Sequence, residues 1–258
     1  MKQFCFTVDD NIRFLRDLTA QRPASLFENA YLGYYRYLHK KYGLKVQLNL
    51  FYESKDFNLS QMTDASRDEW AENADWLKLS FHSKAEWPSC PYEFSGYDEV
   101  YADCSAVHGE ILRFAGKASL ADTTTIHYCR NTADGLRALS DCGVKGLLGL
   151  FGSAEYPRTS YEVPEELLPS IRHGEIETFR GMAMGSLDVI LNDFRPEKAH
   201  ALVEALLDRN YAHIMTHEQH YYPDLSGHSY EFEPKTEDVV ALLVSAGFTP
   251  CFFEEMMQ

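Results

Sequence analysis

Segments with strand character and segments with helix character alternate along this chain six or seven times. Such alternation implies parallel βαβ units, with a sheet shielded by the helices that connect its strands. The pattern predicts strands at Gln3–Val8, Leu44–Tyr52, Trp76–Phe81, Asp122–Tyr128, Val144–Phe151, Leu187–Leu191, Tyr211–Thr216 and Phe248–Phe253. It predicts helices at Leu26–Tyr42, Tyr97–Phe114, Thr132–Cys142, Pro196–Arg209 and Lys235–Ala246. Ser25 and Glu28 have the spacing of a capping box, and Gly43 stops the helix they would open. Asn11–Pro23 reads as a loop with a short helical piece, and Leu59–Asn73 as polar and partly helical. Gly152–Gly185, interrupted by Pro157, Pro164 and Pro169, reads as an irregular insertion with a hairpin around Tyr161 and Ile176. It is longer than the ~12–15 residues usual for an idle loop, so a lid or a subunit contact is the expectation.

Two architectures fit this alternation: a closed barrel and an open doubly wound sheet. The polar residues choose between them. Asp9 and Asp10, His82, His127 with Arg130, and His217 all fall at the C-terminal ends of different predicted strands. Barrel strands converge on one mouth, and barrel active sites sit there. The expectation is therefore one α/β domain over residues 1–258, a distorted (β/α) barrel of about seven parallel strands, with the insertion near 152–185.

Composition narrows the partners. The formal net charge is -15 and the isoelectric point is near 5.0, which argues against nucleic acid and against an anionic membrane surface. The 6 cysteines form no C-x-x-C pair and read as reduced and structural, as in a cytoplasmic protein. The chain opens directly on a strand, so no signal peptide is expected, and no apolar run reaches the ~20 residues that span a bilayer.

The stretch Phe6-Thr7-Val8-Asp9-Asp10-Asn11 carries the chemistry. Neighbouring side chains on a strand point to opposite faces, so Asp9 and Asp10 share a site only if the strand ends and the backbone turns there. Two close carboxylates then need a proton, a basic side chain or a metal ion to balance them. Asp-Asp-Asn at a strand end is also ordinary turn chemistry. The further strand ends in His82, His127 and His217 add weight to the metal, because a hard or borderline divalent cation takes carboxylate oxygen and imidazole nitrogen together. Such a site activates water for hydrolysis, with a second carboxylate as base and a histidine as acid.

Taken in order, Thr7-Val8-Asp9-Asp10, His82-Ser83, Arg130 and Met215-Thr216-His217 resemble the polysaccharide deacetylase superfamily (NodB-homology, carbohydrate esterase 4-type). The resemblance spans most of the chain through short motifs. It implies a divalent metal, often zinc, with Asp10 and His82 as ligands. It also implies Asp9 as general base, Arg130 orienting that base, and His217 as general acid. The chain departs from the pattern in two places. Ser83-Lys84-Ala85-Glu86 follows His82, where the family places a second histidine, and the arginine motif, Tyr128-Cys129-Arg130-Asn131, lacks its usual prolines. The third ligand is then Glu86 or His127; a strand end favours His127, as in the related YdjC-like sugar deacetylases. Removal of an acetyl or other acyl group from a carbohydrate or related small molecule is the expected reaction. A degenerate barrel that only binds sugars, and a hydrolase of non-sugar C–N bonds, are its alternatives. Trp87, Tyr92 and Tyr97 are candidate sugar-stacking aromatics, and His220 reads as a surface residue.

Overall fold

The computed structural model describes residues 1–224 and 231–257. Its principal strands are β1 (Gln3–Asn11), β2 (Val46–Phe51), β3 (Leu77–Ser83), β4 (Thr123–Thr124), β5 (Gly146–Gly149), β6 (Met182–Ser186) and β7 (Tyr211–His217). The helices that pack around them are α1 (Arg13–Gln21), α2 (Ala30–Tyr42), α3 (Tyr97–Phe114), α4 (Ala133–Asp141), α5 (Pro196–Glu204) and α6 (Phe232–Ser245). Strands β7, β1, β2 and β3 pair in that order, all in parallel, with Val189–Ile190 beyond β7 and Thr249–Pro250 beside the start of β1. A second sheet runs β4, β5, β6, and Glu177–Phe179 lies antiparallel on β6.

The architecture is thus α/β with parallel sheets, but the ladder is interrupted where a closed barrel would be continuous. At one junction Leu79 and Leu120 make a single parallel bridge, and the Ala121 N–H donates to the Leu79 carbonyl at 2.9 Å. The physical cause is the brevity of β4, which has two strand residues against the seven of β3. At the other junction one continuous segment serves both sheets: Met182–Ser186 pairs with β5 and Val189–Ile190 with β7. No helix among the described residues is long and apolar enough to cross a membrane.

The strands are buried on both faces, and one face is polar. Along β2, Val46, Leu48 and Leu50 alternate with Gln47 and Asn49, and all five are buried. Thr7, Asp9, Ser80, His82 and Thr123 extend this inward polar row on the neighbouring strands. They bond to one another: Gln47 donates to Asn49 Oδ1 at 2.8 Å and to the Thr123 carbonyl at 2.9 Å, and Ser80 donates to the same carbonyl at 2.7 Å. Buried polar groups satisfied in this way cost little and set strand register.

Several expected boundaries move, each for a local reason. β1 does not end at Val8 but runs through to Asn11. Leu26–Glu28 forms a separate 3-10 turn, and the capping box is not made: Ser25 accepts from the Phe27 N–H, while Glu28 accepts from the Ala24 N–H. Asn29 caps α2 instead, accepting from the Leu32 N–H at 3.2 Å. α5 stops at Glu204, and the last predicted strand is only Thr249–Pro250. The hairpin in the insertion lies at Glu177–Ser186 and turns at Arg180–Gly181, both with positive φ.

Helix α1 occupies the region expected to be mostly loop. It buries Phe14, Leu15 and Leu18, yet its N-cap, Ile12, offers no side-chain acceptor. The acceptor comes from far along the chain. Glu218, just after β7, is buried, and its carboxylate accepts the N–H groups of Ile12, Arg13 and Phe14 at 2.8, 2.9 and 2.7 Å. Three otherwise orphaned donors at a helix start are satisfied by one anion. Replacing Glu218 with Ala is expected to lower the unfolding free energy by about 2–4 kcal/mol, since it strands buried donors. Glu218→Gln keeps one acceptor oxygen and should cost less. Urea unfolding of both variants measures this, and equal stability of Glu218→Ala and wild type would refute the helix-capping role.

Candidate metal centre

The two aspartates meet through a bulge, not through a strand end. Val8 pairs with Leu48 and Asn11 with Leu50, so Asp9 and Asp10 together stand opposite the single residue Asn49. One extra residue breaks the alternation of faces. Asp10 takes a left-handed backbone, φ 62, a conformation that Asp tolerates better than most residues. Asn11 secures the bulge from below: its amide donates to the Val8 and Asn49 carbonyls at 2.5 and 3.1 Å, and it accepts from the Tyr31 hydroxyl at 2.6 Å.

Around Asp10 the structure gathers His82 and His127. Asp10 Oδ1 lies 3.1 Å from His82 Nε2 and 3.3 Å from His127 Nδ1, and the two ring nitrogens are 3.0 Å apart. The remaining ring nitrogen of each histidine faces a main-chain carbonyl: His82 Nδ1 is 2.6 Å from the Thr125 oxygen and His127 Nε2 is 3.2 Å from the Glu86 oxygen. A carbonyl only accepts, so each ring carries its proton on that outer nitrogen. With both rings neutral, the inner nitrogens and the carboxylate present three lone pairs to one another, and Asp10 Oδ1 is buried with no donor of its own. These three residues form the one group of possible metal ligands among the described residues, with ligand atoms within 4.8 Å of one another. Outer N–H groups held by carbonyls are what orients imidazoles toward a cation.

His127 reaches the group by a route different from the expected strand. β4 stops at Thr124, and His127 opens a 3-10 turn, His127–Cys129, with positive φ at Tyr128 and Cys129. Its ring stands edge-on to Phe51, 5.1 Å between centroids. Glu86 contributes its carbonyl to His127 and is among the residues that line the cavity.

Asp9 is buried and accepts from Asn49 Nδ2 at 2.6 Å, with His82 Nδ1 3.9 Å away. Burial pushes its carboxyl up, against the pull of His82, His217 and the Asn49 amide. Burial acts in the same direction on Asp10, but in the absence of a cation the imidazoles of His127, His217 and His82, when they carry a proton toward it, outweigh burial and hold Asp10 well below the usual carboxylate range. For His82, burial opposes the charged ring, yet Asp9 and Asp10 dominate and hold it above the ordinary histidine value. His217, at the end of β7, donates from Nδ1 to Asn192 Oδ1 at 2.7 Å and points Nε2 at Asp10 Oδ2, 4.0 Å away. Gln219 donates to that same Oδ2 at 2.9 Å.

Arg130 is not brought to this group. Its guanidinium faces Glu93, 3.6 Å away, and it does not line the cavity of the group. The cavity of about 250 Å³ that holds Asp9, Asp10, His82, His127 and His217 is lined instead by Arg158, from the insertion. Among the described residues no carboxylate lies within 4 Å of Arg158. A second cavity of about 740 Å³ shares Asp10, Glu86 and Gln219 with the first and is bordered by Phe51, Trp87 and His220. Trp87 is 71% exposed there. Tyr92 is buried against Phe81, with its hydroxyl on Asp103, and Tyr97 stacks on Tyr101 and bonds to Asp141. Neither borders either cavity. The cysteines are all free.

Sequence reading missed Asn49, Asn192, Gln219 and Arg158. Only Asn49 left a trace: with Gln47, it makes a polar face on a strand whose other face is apolar.

No protein-family model matches the chain, and no curated protein matches its sequence. Solved structures do match. A family 4 acetyl xylan esterase from Clostridium thermocellum, in complex with a cobalt ion, aligns at 13% identity and TM-score 0.54 over 99% of this chain and 90% of its own. A CE4 family pseudoenzyme from Bacillus anthracis aligns at 10% identity and TM-score 0.51 over 100% of this chain and 66% of its own. A 4-alpha-glucanotransferase from Thermococcus litoralis aligns at 12% identity and TM-score 0.58 over 100% of this chain and 40% of its own. At such identities the likeness establishes the fold, which these solved structures share. It does not decide among an esterase, an inactive relative and a transferase.

Protons compete with any cation for the inner nitrogen of His82. Because His82 is held above the ordinary value of about 6.5, that competition sets in on the alkaline side of it. Affinity for Zn²⁺ is expected to be at least about tenfold weaker at pH 5.5 than at pH 7.5, measured by calorimetric titration. An affinity unchanged over this range would exclude imidazole ligands.

Proposed function

We propose that the protein is a metal-dependent hydrolase that removes an acetyl or other acyl group from a carbohydrate or related small molecule. The observation that carries this reading is the meeting of three lone pairs at Asp10, His82 and His127, both imidazoles being fixed from outside by main-chain carbonyls. Asp10, His82 and His127 would hold one divalent ion, zinc being our choice for one oxygen and two nitrogen donors. The cobalt ion of the acetyl xylan esterase supports a divalent site in this fold. Such an ion supplies Lewis acidity, polarising an acyl carbonyl and lowering the pKa of water.

The chain's own groups divide the remaining work. Asp9, held by Asn49 and raised by burial, is placed to accept a proton as general base. His217, with Nδ1–H fixed on Asn192, directs Nε2 into the site and would protonate the departing amine or alcohol as general acid. The cationic role expected of Arg130 passes to Arg158, the guanidinium that lines the cavity. Trp87, exposed at the border of the larger cavity, offers an apolar ring face of the kind on which sugars stack. We read the fold as a single domain over residues 1–258 whose two sheets form a distorted seven-stave barrel, the segment 182–190 counting as one stave. The insertion at 152–185 then contributes Arg158 to the site.

A non-catalytic binding protein is the second reading. The pairing of Arg130 with Glu93 favours it, as does the existence of a pseudoenzyme with this fold. Elemental analysis and turnover together separate the two. Asp10→Asn, His82→Ala and His127→Ala are expected to lose bound metal, whereas Glu86→Ala keeps it. Asp9→Asn should keep the metal and lose about 10²-fold or more in acetyl release from N-acetylated and O-acetylated sugars. Stoichiometric metal with no release of acetate from any of them would favour the binding protein. Metal retained in Asp10→Asn and His82→Ala would overturn the site itself.

A further inference from the structure

The small cavity at the Asp10 group has an apolar wall made of Ile126, Leu150, Leu187, Ile190 and Met215. Leu150 and Leu187 follow β5 and β6, and the Leu187 N–H donates to the Gly149 carbonyl at 2.7 Å, so the two strand ends are tied side by side. The same two leucines line a further cavity of about 360 Å³. Phe151, Tyr156, Val189, Leu202 and Leu206 are its other large apolar or aromatic lining residues.

The charged groups that face this further cavity are already partnered. Arg209 donates to Asp188 at 2.9 Å, Arg172 Nε donates to the Phe151 carbonyl at 2.5 Å, and Glu155 lies 3.9 Å from Lys198. Its serines are partnered too: Ser186 donates to Asp188 at 3.0 Å, and Ser153 accepts from the Tyr156 N–H at 3.0 Å. With these polar groups engaged, the free surface left to a ligand is mainly hydrocarbon, and the cavity adjoins that of the Asp10 group at Leu150 and Leu187.

We propose that this cavity receives the chain of a medium-length acyl group, so that the substrates are acylated carbohydrates whose acyl chain is longer than acetyl. The inference rests on the hydrolase reading above and specifies the group removed. The acyl carbon would sit among Asp9, Asp10, His82, His127 and His217, and its tail would pass Leu150 and Leu187. In the reaction, water adds hydroxide to the acyl carbon and its C–N or C–O bond breaks. The departing nitrogen or oxygen takes up water's other proton, giving a free sugar amine or hydroxyl and a fatty acid, which then releases its own proton to solvent or to the amine. Each methylene moved out of water contributes up to about fourfold in affinity.

The test uses glucosamines N-acylated with acetyl, butanoyl, hexanoyl and octanoyl chains, given to the zinc-supplied wild type and to Leu202→Trp. Leu202 lies on α5 and borders only the further cavity. Calorimetric affinity and turnover are read separately, and a thermal melt checks that the variant is folded. Affinity is expected to rise by about tenfold or more from acetyl to octanoyl in the wild type. It should rise little in Leu202→Trp, with acetyl turnover unchanged. Acetyl turnover with no gain in affinity for longer chains overturns this inference and leaves the hydrolase standing. A rise in affinity with chain length but no turnover supports the acyl cavity and removes the hydrolase. The wild-type series decides the matter even if Leu202→Trp does not fold.

Discussion

One extra residue in β1 organises the rest of the site. The bulge opposite Asn49 turns Asp10 into the left-handed region and lets two consecutive carboxylates serve one cavity. Without it, strand geometry would send one of them toward the helices. The bulge is held by the Asn11 amide on two main-chain carbonyls, and Asn11 by the Tyr31 hydroxyl of α2. Tyr31 is itself packed against Phe14 of α1 and against Tyr35. The position of a carboxylate is therefore set by helix packing two layers away.

Neutral amides do most of the orienting. Asn49 holds Asp9, Gln219 holds Asp10 and Asn192 holds His217. An amide fixes a carboxylate or an imidazole through geometry and adds no net charge to a buried site. That matters where burial already raises Asp9 while the imidazoles lower Asp10. The same environment separates two chemically identical side chains into a raised carboxyl, suited to take a proton, and a depressed one, suited to stay charged.

Stability and site share three consecutive residues at the end of β7. His217 faces the cavity, Glu218 closes the start of α1 and Gln219 holds Asp10. Because β7 pairs with β1 in register, Asp9 opposite His217, the end of one strand brings the partners for the bulge of the other. The Asp10 group and the capped helix are thus built on the same strand pair.

The alternation of strands and helices was legible in the sequence, and so was the choice of Asp9, Asp10, His82, His127 and His217 as residues at or just beyond strands, because periodicity and turn residues act over a few positions. The helix Tyr97–Phe114 was read to its exact ends for the same reason. The bulge was not legible, since pairing two residues against one depends on the neighbouring strand. Nor was the cap of α1, whose acceptor lies 206 positions from Ile12, nor the Gln219 contact, 209 positions from Asp10. Arg130 carried the motif, but the turn after β4 aims it at Glu93, and the insertion brings Arg158 to the cavity instead. Local patterning determined which polar residues fall near the ends of strands. Only the packing of distant segments decided which of them meet, because a contact between residues far apart in the chain leaves no trace in the order of either neighbourhood.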